Sequence, residues 1–227
     1  MTLRISPATL TDWPDIDLLV YEAYLRDNPK QLLADEDSLK CKNDSQHVLR
    51  CIVRLPSGEL AATWSLELLY TQEELFKYLG GHVTFDPIVF PILVGGRAAA
   101  SISRETRGAF NTVLDISFKL LDELHTRLGR PVSALNVHYQ GNPVVKKLVA
   151  LGYEEHEVTR TKGIWGGAQV TTYATPEAVA TLLQPRLTAS NQVPPYEWAH
   201  PVSLADMVLI QNPVHDTTPP PGSTNNP

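Results

Sequence analysis

Cysteine is nearly absent from this 227-residue chain, which has only two, Cys41 and Cys51. They stand ten apart, with no second pair and no histidines at zinc spacing, which argues against a disulfide framework and against a structural metal. Long apolar runs are missing too. The opening stretch MTLRISPATLTDWPD carries charge early and has no hydrophobic core, so neither a signal peptide nor a membrane span is expected there, and a reducing, cytoplasmic setting is the expectation. Positive charge is scarce: 19 Lys and Arg against 25 Asp and Glu leave a net charge of -6. Such a chain has no general attraction for phosphate backbones, so a nucleic-acid partner is disfavoured unless one face is locally basic. What remains is ordinary for a globular protein, 43% hydrophobic and 19% charged. The length suits one α/β domain, residues 1–187, followed by a Pro-, Asn-, Ser- and Thr-rich tail, 188–227, expected to be largely disordered although 196–207 could dock.

Along the chain, residues 3–9 read as a short strand. Thr11-Asp12 before Trp13-Pro14 marks a helix start, and Ile16, Leu19, Val20, Ala23 and Tyr24 recur at helical spacing. A second short helix from Asp35 is expected within 30–46. Residues 47–55 and 59–69 form a hairpin around Pro56-Ser57-Gly58. A short helix around 73–79 stops at Gly80-Gly81. The stretch VTFDPIVFPILVGG is broken by Pro87 and Pro91 and reads as an inserted loop or edge strand, with Gly95-Gly96-Arg97 as a turn. A short buried strand, 97–103, follows. Residues 109–128 are strongly helical, 132–140 a strand, 143–152 a helix led by Pro143, and 154–165 and 168–174 a hairpin around Gly166-Gly167. A last helix is expected at 176–184.

The chemically informative element is the strand that runs into Arg104-Glu105-Thr106-Arg107-Gly108 and then into the long helix. Unpaired N–H groups at a helix start, together with the helix dipole, form an anion site, and phosphate is the natural guest. Arg104 and Arg107 add charge, and Gly108 lets a phosphate come close to the backbone.

In order and in motif, residues 3–175 resemble the GNAT superfamily of N-acyltransferases. The resemblance is carried by RISPATLTDWPDIDLLVYEAY, by the hairpin RCIVRLPSGELAATWSLEL, by SISRETRGAFNTVLDISFKLL, and by VSALNVHYQGNPVVKKLVALGYEE. It implies a mixed, mostly antiparallel sheet with helices on both faces and an acyl-CoA, usually acetyl-CoA, between splayed fourth and fifth strands. It also implies that Ile102 and Ser103 meet the pantetheine arm and that the amides of Arg107, Gly108, Ala109, Phe110, Asn111 and Thr112 cradle the pyrophosphate, beside Arg104. Asn142 would help to hold the co-substrate, and no metal is implied. The acceptor would be an amine on a small molecule or protein, with a homodimer left open.

Two departures stand out. Phe110 occupies the place of a second glycine, and Leu148 falls where a tyrosine commonly protonates the leaving thiolate. Tyr139 is the nearest substitute by chain position, and Glu67 and His138 are the candidate bases; each can equally be structural. Two alternatives stay open: a non-catalytic GNAT-fold interaction module, and a GNAT-like modifier of a nucleobase or polymer. No nucleophile motif of a hydrolase and no P-loop occurs.

Overall fold

A computed structural model describes residues 2–27, 48–79, 88–139, 141–158, 169–181 and 193–213. The helix expected from Asp35, the glycine pairs at 80–81 and 166–167, and Pro87 lie outside the described residues.

The strands are β1 (Leu3–Pro7), β2 (Leu49–Arg54), β3 (Leu60–Leu69), β4 (Ile92–Ala100), β5 (Ser133–Tyr139), β6 (Glu154–Val158), β7 (Gln169–Ala174) and β8 (Tyr196–Trp198). The helices are α1 (Trp13–Asp27), α2 (Gln72–Leu79), α3 (Ala109–Leu128), α4 (Pro143–Ala150) and α5 (Leu204–Gln211). Residues 176–181 are also helical. The strands form one sheet in the order β6-β7-β5-β4-β3-β2-β1-β8, antiparallel except for β4 beside β5 and β1 beside β8. The mixed, mostly antiparallel sheet expected from the sequence is thus present.

Side-chain alternation gives the sheet two apolar faces. Leu49, Cys51, Val53, Trp64, Leu66, Leu93 and Ala134 point to one face, where α3 contributes Val113, Ile116, Leu120 and Leu124, α4 contributes Leu148, and α5 contributes Leu204, Ala205 and Val208. On the opposite face, α1 lays Ile16, Leu19, Val20 and Ala23 over Ile52, Leu60 and Ala99. There α2 lays Leu75 and Leu79 over Ile92, Val94, Leu135 and Tyr173. Helices therefore cover both faces.

One expectation needs correction. The segment around Pro91 is not a loop or an edge strand from Ile92 onward: 92–100 is one central strand, with Gly95 and Gly96 inside it. Pro91 lies just before the strand, so its missing N–H costs the ladder nothing, and its carbonyl accepts from the Ser133 amide at 2.9 Å. The docking expected within 196–207 of the tail is present. Residues 196–198 pair in parallel with β1, and α5 is capped by Ser203, whose hydroxyl accepts from the Asp206 amide. Tyr196 donates to Asp115 at 2.8 Å and accepts from Lys119 at 2.6 Å, which fixes the segment to α3.

Candidate active-site cleft

The cleft begins where the central parallel pair ends. β4 and β5 pair from Ile92 with Ser133 to Gly95 with Asn136. Beyond that point β4 follows β3, and β5 follows β7. A bulge accompanies the parting. Thr63 faces Ala99 and Ser65 faces Gly96, so Arg97 and Ala98 together oppose Trp64. Arg97 takes φ 45°, in the left-handed region, and an extra residue of this kind bends its strand.

Side-chain ends come close to both glycines before the bulge. A Cβ on Gly95 would lie 2.5 Å from Asn136 Oδ1, and one on Gly96 would lie 2.7 Å from Tyr78 Oη. Ser65 Oγ also donates to the Gly96 carbonyl at 2.8 Å.

The turn from β4 into α3 is tied by one buried hydroxyl. Thr106 Oγ1 accepts from the Ser103 amide at 2.9 Å and donates to the Ser101 carbonyl at 2.9 Å. Ser103 Oγ in turn accepts from the Thr106 amide at 3.1 Å. Gly108 then caps α3 at φ 91°, a conformation that a side chain would strain. Gly108 and Phe110, at the start of α3, line the gap between the strands with the Arg107 side chain exposed beside them, while the Ala109 amide is bonded to the Thr106 carbonyl at 2.9 Å.

A cleft of about 630 Å³ occupies the gap and continues between the sheet and α3. It brings together Ile102, Ser103, Arg107, Gly108, Phe110, His138, Tyr139 and Asn142. Phe110 lies along the wall and leaves the cleft open. Asn142 caps α4, its Oδ1 accepting from the Val144 amide at 2.9 Å. Arg104, Ala109, Asn111 and Thr112 stand in the same turn or helix but outside the lining. Ala109 and Thr112 are buried, and the Thr112 hydroxyl turns back toward the Gly108 carbonyl. Glu67 is elsewhere: it pairs with Val94 on β3, and alternation sends it to the face opposite Trp64 and Leu66, which do line the cleft.

The two remaining titratable candidates differ in character. His138 is half-buried at the cleft, and loss of water pushes its pKa down to about 4, so it is neutral at pH 7. Its Nε2 lies 3.0 Å from Thr172 Oγ1. Burial also raises the Tyr139 phenol above its usual pKa; the Asp27 carboxylate raises it further, and Arg26 opposes them. Tyr139 is therefore a protonated O–H at neutral pH.

Sequence reasoning passed over several lining residues. Tyr24, Arg26 and Asp27 bring the C-terminal end of α1 to the cleft, Asn136 comes from β5, and Tyr153 stands just before β6. Tyr24 belongs to the helical apolar pattern of α1, and Arg26 and Asp27 carry no motif that marks them. Among the described residues, no group of His, Cys, Asp and Glu side chains could hold a metal ion. No helix among them is long and apolar enough to cross a membrane.

A sheet parted between two parallel central strands, with a helix N-terminus at the head of the gap, is the GNAT acyltransferase fold. Solved structures of that fold match most of this chain. A CoA-dependent acyl-homoserine lactone synthase, BjaI, with SAM and isopentyl-CoA matches with a TM-score of 0.53 at 12% identity, covering 92% of this chain and 99% of its own. Arabidopsis thaliana NAA60 in complex with a bisubstrate analogue gives 0.52 at 8% identity, covering 77% and 99%. Aminoglycoside acetyltransferase AAC(6')-Ib in complex with coenzyme A gives 0.51 at 13% identity, covering 79% and 98%. No family model and no curated protein sequence matches, so the likeness is one of fold.

Proposed function

We propose that this protein is an acyl-CoA-dependent N-acyltransferase. The observation that carries the reading is the gap between β4 and β5, whose lining reaches Arg107, Gly108 and Phe110 at the start of α3. Strand edges left without a partner suit an extended arm containing amides, and the helix start suits a pyrophosphate. The SAM- and isopentyl-CoA-bound neighbour and the coenzyme A-bound neighbour support an acyl-CoA as the co-substrate class.

When bound, an acyl-CoA would supply an activated thioester. In the transfer, the acceptor nitrogen attacks the thioester carbon, a C–N bond forms as the C–S bond breaks, the nitrogen loses a proton and the thiolate gains one. Tyr139 fits the second proton transfer, because its hydroxyl is kept protonated at the cleft. His138 is a poor base at pH 7 with a pKa of about 4, and its hydrogen bond to Thr172 gives it a positioning role on β5. The end of α1, with Tyr24, Arg26 and Asp27, forms the wall that the acceptor would approach. Leu148, buried at the cleft where the resemblance places a tyrosine, favours the second reading, a binding module without catalysis.

Calorimetric titration with CoA and acetyl-CoA tests the proposal, alongside Arg107→Glu. Micromolar binding that the variant weakens at least tenfold supports it. Binding to neither compound refutes it. Acyl transfer to an amine panel then separates enzyme from module, and Tyr139→Phe is expected to lower kcat on the order of a hundredfold with CoA affinity kept.

A further inference from the structure

The gap between β4 and β5 has a root, and one side chain is laid across it. Gly95 and Asn136 are the last register pair of the two strands, which part beyond them. A Cβ on Gly95 would lie 2.5 Å from Asn136 Oδ1, so the space that such a side chain would take is held by the Asn136 amide. Asn136 is half-buried and lines the cleft. It is also out of keeping with its strand. Asparagine is depleted in strands, and β5 otherwise gives Ala134 and Leu135 to the core and His138 to Thr172. Among the described residues the Asn136 amide has no hydrogen-bond partner, whereas polar groups withdrawn from water are ordinarily bonded. Its Nδ2, the other arm of the planar fork that carries Oδ1, has two N–H donors to give.

We infer that Asn136 is a catalytic residue whose amide donates to the thioester carbonyl oxygen. The inference rests on the acyl-CoA reading above. With the pyrophosphate at the start of α3, an arm laid along the open strand edges runs inward, and its sulfur end approaches the root of the gap. Asn136 and Tyr139 stand three residues apart on β5, so alternation sends them to opposite faces with the gap between them. Tyr139 then serves the leaving sulfur and Asn136 the carbonyl. As the acceptor nitrogen bonds to the carbonyl carbon, an electron pair moves onto the oxygen, and it returns as the C–S bond breaks. A fixed N–H aimed at that oxygen gains strength as the charge develops, and loss of one such donor costs about 10²–10³ in kcat. Gly95 is the positioning residue, because without a side chain it lets the amide lie across the root.

The test reads the carbonyl itself and needs no acceptor. Acetyl-CoA labelled with carbon-13 at the thioester carbonyl is bound to the full chain, its stretch is followed by isotope-edited infrared spectroscopy, and calorimetry gives the affinities for CoA and acetyl-CoA. The variants are Asn136→Leu, similar in shape but without a donor, and Gly95→Ala, whose methyl displaces the amide while Asn136 stays in the chain. The wild-type stretch is expected below that of acetyl-CoA in an aprotic solvent. Either folded variant should raise it and lower the ratio of acetyl-CoA to CoA affinity about fivefold, the loss of one neutral hydrogen bond, while CoA affinity is kept. A merely structural Asn136 would leave the stretch where it is. A wild-type stretch at the aprotic value overturns the assignment and leaves the acyl-CoA reading standing; so does a stretch and ratio that folded Asn136→Leu retains. Where the leucine variant does not fold, Gly95→Ala carries the same comparison. Failure of the wild-type protein to bind either compound overturns both inferences.

Discussion

Replacing Thr106 by valine removes one hydroxyl while keeping the side-chain shape, and the turn that presents the α3 amides loses its tie. The Ser103 amide loses its acceptor and the Ser101 carbonyl loses its donor, each from a bond of 2.9 Å. An unsatisfied buried backbone group costs about 1–3 kcal/mol. Ser103 is exposed and Ser101 half-buried, so water recovers part of the loss, and the low end, ~2 kcal/mol for the two, is the working figure. For a chain of this size that lowers Tm by roughly 4–8 °C. The loosened turn should also bind CoA at least tenfold more weakly, because the amides are no longer held in place before the ligand arrives. Thermal denaturation followed by circular dichroism reads the first effect, and calorimetry reads the second. Thr106→Ser keeps the hydroxyl and should stay near the wild type in both. If valine leaves Tm and affinity unchanged, or serine is as damaging as valine, the hydroxyl is not what holds the turn.

Three further outcomes follow from the packing. His138 has a folded-state pKa of about 4 against an ordinary 6.5, so the unfolded chain binds the extra proton first. Stability should therefore fall as pH drops from about 6.5 toward 4, by up to ~3 kcal/mol, and chemical denaturation of His138→Gln across that range should lose this part of the slope. Gly96→Ala would place a methyl 2.7 Å from Tyr78 Oη, at an expected cost of about 1–3 kcal/mol, and Tyr78→Phe in the same chain should restore part of the Tm. Deleting residues 193–227 uncovers the core under Leu204, Ala205 and Val208; burial of the Leu and Val alone is worth at least ~3 kcal/mol, so the truncated chain should melt lower and associate in light scattering.

The parts of the site that were legible in the sequence are those whose cause is local. The Arg107-Gly108 turn and the Asn142-Pro143 helix start are fixed by residues within one turn of each other, and the structure has a left-handed Gly108 and a capping Asn142. Gly95-Gly96 was misread because two adjacent glycines ordinarily mark a turn. Their true cause is distant: Asn136 arrives from a strand some forty residues later, and Tyr78 from α2. The C-terminal segment was legible only as a stretch that could dock, for a similar reason. A three-residue strand in a Pro-rich stretch has no periodicity of its own, and it is ordered by β1, at the far end of the chain. Tyr139 was reachable as a candidate, but its exposure to Asp27 and Arg26 was not, because nothing in the amphipathic pattern of α1 says where its last turn ends. Glu67 illustrates the converse: alternation along β3 assigns it a face, but only the assembled sheet says which face holds the cleft.

The parallel pairing of β1 with β8 also sets an order of events during synthesis. Arg4 and Glu197 are neighbours in space and 193 residues apart in sequence, so one edge of β1 is left open until residues 196–198 have emerged. At ~5–20 residues per second a ribosome would hold that edge uncovered for roughly 10–40 s. Until then β1 lacks its second neighbour, and for that interval the nascent chain offers an unpaired strand to any other chain nearby.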